Sequence, residues 1–338
     1  MARLSKHELL QVFEGAVRES GWSFLHLSPH REHPARYHVY CAEATHRLGV
    51  HIWNVTHGGG AARPSGEYRI QITGLEEPSG SQQFQPEVGG KTLILGWWDE
   101  VGVFAGFDYA KHSGPLGSSP SMQIGEEALR KASMSGFAPH NRGQGEIAIA
   151  FRPDFLGTYV ANLERLHACG EFPRELAILG EIADENVEDQ EIARAVAQER
   201  QYAVISTKRA LRDISFRQRV LTVYGYACAM CGLQLKLVDA AHVLPVLDPE
   251  STDETSNGIA LCSLHHRAYD NGFATFGADY RIYLNEAMVG ELKARGLDGK
   301  LDRFHNNLRP FIALPPDKRD YPAPAFIEKA NALRGWEK

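Results

Sequence analysis

The chain has 338 residues, 43% hydrophobic, 23% charged and 9% aromatic, with 32 glycines and 17 prolines. This is the composition of a soluble globular protein, and it excludes collagen, low-complexity disorder and a disulfide scaffold. Thirty-six basic against 42 acidic residues leave a net charge of −6, which excludes a general basic footprint for nucleic acid.

At about 150 residues per domain the length predicts two domains. No run approaches the ~18 uninterrupted apolar residues of a membrane helix, and the N-terminus lacks an apolar run followed by a small-residue cleavage site. The expectation is a cytoplasmic protein with no membrane partner.

In chain order, LSKHELLQVFEGAVRESG predicts an amphipathic helix on Leu9, Leu10, Val12, Phe13 and Val17, stopped at Gly21. From Arg36 to Phe151 the pattern turns to short β-like runs: YHVYCA, LGVHIWNV, EYRIQITG, KTLILGWW, GVFAGFDYA and EIAIAFRP. Many short strands divided by turn signals predict a barrel-like or sandwich domain. MQIGEEALRKAS reads as one inserted helix and DFLGTYVANLERLHAC as another, closing a β-rich domain over residues 1–168. Residues 169–205 read as an acidic helical linker, with EDQEIARAVAQER as a single helix. A second module, 206–290, opens with the helix KRALRDISFRQRVLTVYG and continues through a β run KLVDAAHVLPV, a polar loop and the segment IALCSLHHRAYDNG. FATFGADYRIYLN reads as a hairpin, and residues 291–338 form a C-terminal extension with a final helix. The fold class is therefore α+β.

Five cysteines, an odd number, argue against a disulfide framework. Cys41 and Cys169 stand alone, as buried thiols. Cys228 and Cys231 form C-x2-C, and Cys262 with His265 forms C-x2-H. Two such pairs can close a tetrahedral Cys3His site of the kind that takes structural zinc. Just before and within this knuckle, Lys208, Arg209, Arg212, Arg217, Arg219 and Lys236 stand against Asp213 alone between residues 206 and 238. Such a basic stretch beside a candidate centre suits a phosphodiester substrate.

His242 lies in AAHVLPV, Asn257 follows 15 residues later in TSNGIAL, and His266 nine further on in CSLHHRAYD. On these residues the second module resembles the HNH nuclease family, and in particular bacterial predicted restriction endonucleases with AAHI-x-P, NG-x-x-L and HH-x-x-FD-x-G segments. The resemblance implies a zinc-stapled ββα-metal finger with the first His on a strand, the Asn after a loop and the last His on a helix. It implies His242 as general base, Asn257 orienting that imidazole, and His266 with Asp270 as ligands of a divalent ion, Mg or Mn in the cell, with Ni or Co also suited. Zinc would sit separately on Cys228, Cys231, Cys262 and His265. The position before the base, often a further metal ligand in the family, is Ala241 here. Asp239 is the nearest substitute, although its odd-number separation from His242 turns it to the other strand face.

The run GKTLILGWWDEVGVFAGFDYAKHSG, with the residues after it, resembles predicted restriction-enzyme reader domains and, more distantly, the pseudobarrel domains shared by restriction effectors and plant transcription factors. Trp53, Trp97, Trp98, Phe104, Phe107 and Tyr109 are candidates for base stacking or for core. Arg63, Arg69, Lys111 and His112 are candidates for DNA contact, as is Arg267 in the second module. The implied activity is a metal-dependent restriction endonuclease acting on double-stranded DNA, plain or modified, as a homodimer. The rivals are a DNA-binding regulator with an inactive HNH fold and a site-specific nickase or mobile-element nuclease.

Overall fold

The computed structural model describes residues 3–28, 33–58, 66–75, 82–182 and 187–336. By contact density the chain divides into two compact units, Met1–Leu211 and Arg212–Lys338. Among the described residues no helix is long and apolar enough to cross a membrane.

Unit 1 opens with α1 (Lys6–Glu19). The Ser5 hydroxyl accepts the Glu8 backbone N–H while the Glu8 carboxylate accepts that of Ser5, so two donors that a helix start leaves orphaned are satisfied reciprocally. Leu9, Leu10, Phe13, Ala16 and Val17 make its buried stripe, and Gly21 turns the chain at φ +78°.

One sheet holds β1 (Ser23–His26), β2 (Ala35–Tyr40), β3 (Thr45–His57), β4 (Glu67–Gln71), β5 (Lys91–Trp98), β6 (Val103–Phe107), β7 (Ser121–Gly125), β8 (Phe137–Gly143) and β9 (Glu146–Phe151). Its main path runs β1-β2-β3-β5-β6-β9-β8, with β4 on β3 and β7 on β4. The 13-residue β3 causes the branch: residues 45–50 pair with β2 along one edge and 55–57 pair with β4 after β2 has ended. β3 and β5 run parallel and the other pairs antiparallel. Among the described residues β1 and β8 end the path and do not pair with each other. All six β-like runs of the sequence are strands here.

The inserted helix differs from its expected span. Ser121–Gly125 is strand β7, with Met122 and Ile124 buried on alternate positions, and only then does α2 (Glu126–Ser135) begin, ending at Gly136 in the left-handed region. α3 (Leu156–Ala168) follows a 3-10 turn over Pro153–Phe155 and lays Tyr159 against β6, where Gly106 leaves the room: a Cβ there would fall 2.2 Å from Tyr159 Oη. Tyr159 Oη and the Ile147 carbonyl take the two ring nitrogens of buried His167.

The acidic stretch carries buried positions of its own. α4 (Pro173–Glu181) buries Glu175, Ile178 and Leu179, and α5 (Asp189–Ala195) buries Ile192. Glu175 grips Arg200 through two bonds of 2.7 and 2.9 Å, with the guanidinium over Phe172, and it also accepts the Ala197 N–H. That tertiary contact holds Val196 extended and splits the expected single helix into α5 and the 26-residue α6 (Gln198–Val223). The boundary between the two units falls inside α6.

In unit 2, β10 (Val238–His242) and β11 (Gly258–Cys262) pair antiparallel, with His242 opposite Gly258, and α7 (Ser263–Asp270) follows directly. β12 (Ala274–Phe276) and β13 (Ile282–Leu284) form the expected hairpin, and α8 (Glu286–Ala294), α9 (Leu301–Asn307) and α10 (Pro324–Leu333) complete the extension. Phe216, Val220 and Leu221 of α6 share one apolar core with Val238, Ile259, Leu261 and Tyr269 of the finger and with Ile312, Ile327 and Ala330 of the extension. The C-terminal extension thus packs on the finger.

Candidate active site and metal centre

The knuckle between α6 and β10 turns tightly: Gly232 N–H donates to the Cys228 carbonyl and Cys228 N–H to that of Leu233. This presents Cys228 and Cys231 to Cys262, the N-cap of α7, and to His265 in its first turn. Among the described residues these four are the only group of three or more His, Cys, Asp or Glu donors within 4.8 Å of one another. Cys231 and Cys262 Sγ lie 3.9 Å apart, and His265 Nδ1 lies 3.2 Å from Cys262 Sγ and 3.6 Å from Cys228 Sγ. Four donors set tetrahedrally about zinc, with Zn–S about 2.3 Å and Zn–N about 2.0 Å, would fall about 3.5 to 3.8 Å apart. The donor set fits. Burial pushes the Cys228 thiol up, but hydrogen bonds from His265 and from backbone N–H groups outweigh it and bring the thiol down to about 6. Burial, with the charge of Cys228 nearby, takes Cys231 up to about 12 and raises Cys262 as well. One thiolate makes the next harder to form, and a divalent cation would offset that repulsion.

His242 closes β10 with its ring against the face of Phe216, centroids 3.8 Å apart and planes within 11°. Gly258 opposite has ordinary extended angles, φ −120° and ψ 147°, but a Cβ there would fall 2.3 Å from Val220 Cγ2 and 3.2 Å from Phe216 Cζ. The missing side chain lets α6 reach the end of the strand pair. His242 Nε2 lies 3.0 Å from Asp253 Oδ1, and Arg212 Nε lies 2.7 Å from Asp253 Oδ2. Asn257 is fully buried. Its Oδ1 accepts the Leu244 N–H, and its Nδ2 donates to Ser251 Oγ and to the Leu244 and Thr252 carbonyls. Its side chain therefore ties the two ends of the loop between His242 and Asp253 rather than meeting the imidazole itself. Lys329 of α10 holds the same loop at Asp248, 2.8 Å away.

On α7 the adjacent histidines diverge: His265 is buried in the knuckle, whereas His266 is half-exposed with Nε2 3.4 Å from Asp270 Oδ2, one turn on. Two donors at adjacent corners of an octahedral site with ~2.1 Å bonds would stand about 3.0 Å apart, so this open pair fits a hard divalent ion whose other positions are left to water and substrate. Asp239 is exposed and engaged by Arg217 Nε at 2.6 Å, and it does not join His266 and Asp270 in a three-donor group.

The family model described as "HNH endonuclease" matches residues 228–277. The C-terminal unit carries an HNH endonuclease domain, and the chain is a nuclease. The match takes in the whole Cys3His set together with His242, Asn257, His266 and Asp270. A second family model, "Methylase-associated X1", matches residues 46–160. A solved structure, "Modification dependent TagI restriction endonuclease", aligns with 84% of this chain and 80% of its own at 12% identity and a TM-score of 0.28, too low to equate the folds. No curated protein matches the chain.

The basic residues leading into the HNH domain are not free cations. Lys208 and Arg209 sit on Asp189, Arg212 on Asp253 and Arg217 on Asp239, while Arg219 donates to Ser215 Oγ and the Asp253 carbonyl. In unit 1, Lys111 pairs with Glu171 and His112 with Glu146, beside Arg142. Arg69 has a buried Nε with no partner among the described residues, Arg267 is exposed on α7, and Arg63 lies outside the described residues. Trp53, Trp97, Trp98, Phe104 and Phe107 are buried, and Tyr109 is half-buried. Of the lone thiols Cys169 is buried and Cys41 half-buried. Asp253 and Phe216 carry no signal of a site in the sequence: one sits in a featureless polar loop, and the other is one apolar position among several on a long helix.

Proposed function

We propose that the chain is a metal-dependent DNA endonuclease of restriction and phage-defence type, acting in the cytoplasm, whose residues 46–160 read the DNA while the HNH finger cuts one strand. The observation that carries this reading is the finger itself, which sets His242 on the last position of a strand, Asn257 under the following loop and His266 with Asp270 on the helix, inside an HNH-matched segment. The description of the second match as methylase-associated agrees with a restriction setting.

In this mechanism neutral His242 takes a proton from water through the ring nitrogen not bound to Asp253. The water oxygen attacks phosphorus, the bond to the sugar 3′-oxygen breaks, and that oxygen is protonated from solvent. A divalent ion, Mg or Mn, held by His266 and Asp270 would supply Lewis-acid stabilisation of the charge building on the phosphoryl and leaving oxygens. Zinc on Cys228, Cys231, Cys262 and His265 serves folding alone. One finger cuts one strand, so a double-strand break takes two copies.

The test is incubation of the purified protein with Mg or Mn against matched plasmids from methylation-free and modification-rich hosts, with His242→Ala alongside. Cleavage by the wild type and none by the variant, at unchanged DNA binding, is the expected result, and retained cleavage removes His242 from the base role. Cutting confined to modified DNA makes unit 1 a modification reader, and equal cutting makes it a sequence reader. Nicked circles alone indicate a nickase. Binding without cutting in Mg, Mn, Ni and Co would select the regulator, which Ala241 and the engagement of Asp239 by Arg217 favour.

A further inference from the structure

The loop between β10 and β11 holds a carboxylate that neither the HNH pattern nor the metal set uses. Asp253 places Oδ1 3.0 Å from His242 Nε2, with side chains only 15% and 23% exposed. An ionised carboxylate can only accept, so Nε2 must carry the hydrogen, and in the neutral ring the lone pair then falls on Nδ1. Phe216, stacked on the ring at 3.8 Å, opposes the rotation about Cβ–Cγ that would replace Nε2 with Cε1 in front of Asp253. Asp253 is itself fixed from three directions: Arg212 Nε meets its second oxygen at 2.7 Å, Arg219 Nη2 donates to its backbone carbonyl at 2.9 Å, and Asn257 Nδ2 donates to the preceding Thr252 carbonyl at 2.8 Å. A surface ion pair has no need of such a frame.

We infer that Asp253, clamped by Arg212, is the positioning residue of this nuclease centre: it selects the Nε2–H tautomer of His242 and aims Nδ1 at the attacking water. The inference rests on the reading of His242 as general base. It also assigns Arg212 to the frame of the imidazole, in place of the phosphate contact that its setting in a basic stretch implies.

The experiment uses the full chain as wild type, Asp253→Asn, Arg212→Gln and His242→Ala, on the plasmid and divalent ion that give wild-type cleavage, and on a duplex from that plasmid for binding. Asp253→Asn should lower kcat ~100-fold, within the ~100- to 10,000-fold range of a positioned base, and leave KM and duplex Kd within ~2-fold. In 1H–15N spectra of the ring nitrogens, with His242 assigned by its loss in His242→Ala, the wild type should show the Nε2–H tautomer and Asp253→Asn a shift towards Nδ1–H. A merely structural aspartate would not move that signal. Arg212→Gln keeps the carboxylate and serves if Asp253→Asn does not fold: kcat should fall ~10-fold at unchanged Kd. A weaker Kd with a salt slope shallower by about one would instead return Arg212 to phosphate binding and overturn its part. Wild-type kcat in Asp253→Asn, with His242→Ala inactive, overturns the positioning role and spares the base. Cutting retained in His242→Ala overturns the base reading, and the positioning role with it.

Discussion

Gly258→Ala tests the packing that carries His242. The glycine has no conformational need, since its angles are ordinary for a strand, so only space accounts for it. A Cβ would lie 2.3 Å from Val220 Cγ2 and 3.2 Å from Phe216 Cζ, whereas unstrained carbon contacts fall at about 3.5–4.0 Å, so roughly 1.2–1.7 Å must be found against Val220. Val220 and Phe216 are 0% and 3% exposed and cannot swing into solvent. Overpacking of this kind costs about 1–3 kcal/mol, and the tightness of the approach puts it at the upper end. Alanine in place of glycine otherwise gains about 0.4–1 kcal/mol by restricting the unfolded chain. The net expectation is a loss of about 2 kcal/mol in urea unfolding. Because Phe216 is the surface on which the imidazole lies, a shift approaching 1 Å should also cut cleavage by about 100-fold. Val220→Ala removes the clashing atoms, so the double variant should recover about 1–2 kcal/mol relative to the sum of the single losses. A Gly258→Ala protein with wild-type midpoint and wild-type cleavage would refute the argument, as would strict additivity with Val220→Ala.

Cys228→Ser should strip bound zinc, measured by elemental analysis, and unfold the HNH unit at temperatures the wild type survives, while Cys41→Ser should do neither; zinc-free wild type would remove the knuckle assignment. Asn257→Ala takes their Asn257 partner from the buried Leu244 N–H and the Thr252 carbonyl, while the Leu244 carbonyl keeps Ser251 Oγ, so a loss of about 1–3 kcal/mol is expected by urea titration, together with reduced cleavage from a loosened Asp253. Burial holds His33 down to about 3 and His51 to about 4. The folded protein therefore binds fewer protons than the unfolded chain once pH falls below the ordinary imidazole value of about 6.5, and stability from this source is present above it and lost towards pH 4. At pH 5 the loss relative to pH 7.5 is about 2 kcal/mol per imidazole. His51→Phe should make the melting temperature less sensitive across that window, and an unchanged pH dependence would show that His51 does not contribute.

The elements that escaped the sequence failed for local reasons. β8 contains Pro139, which reads as a strand breaker, yet β8 ends the sheet and pairs only with β9, so a missing ladder donor costs little there. β7 shows only Met122 and Ile124 in alternation before a strong helix begins, too short a period to separate from the helix behind it. The break at Val196 has no signal in EDQEIARAVAQER because its cause, Glu175, lies on another helix, 22 residues upstream of the Ala197 N–H that it accepts. The amphipathic opening, the six apolar runs and the terminal hairpin were legible because each writes its own periodicity.

The site divides in the same way. The Cys3His spacing and the order His, Asn, His are local in the chain and could be read off it, and so could the turn of His265 away from His266, since adjacent helix positions face different ways. The function of a charge, by contrast, is set by what stands across from it. Residues 206–238 carry a net +5 in sequence, but Lys208, Arg209, Arg212 and Arg217 each face an aspartate from another segment. A phosphate approaching these four side chains competes with an intramolecular carboxylate, which lowers the counterion release expected of each, whereas Arg219 faces only a hydroxyl and a backbone carbonyl. At Arg212 the sequence shows the charge but not the aspartate across from it, and for that reason its role cannot be assigned from sequence composition alone.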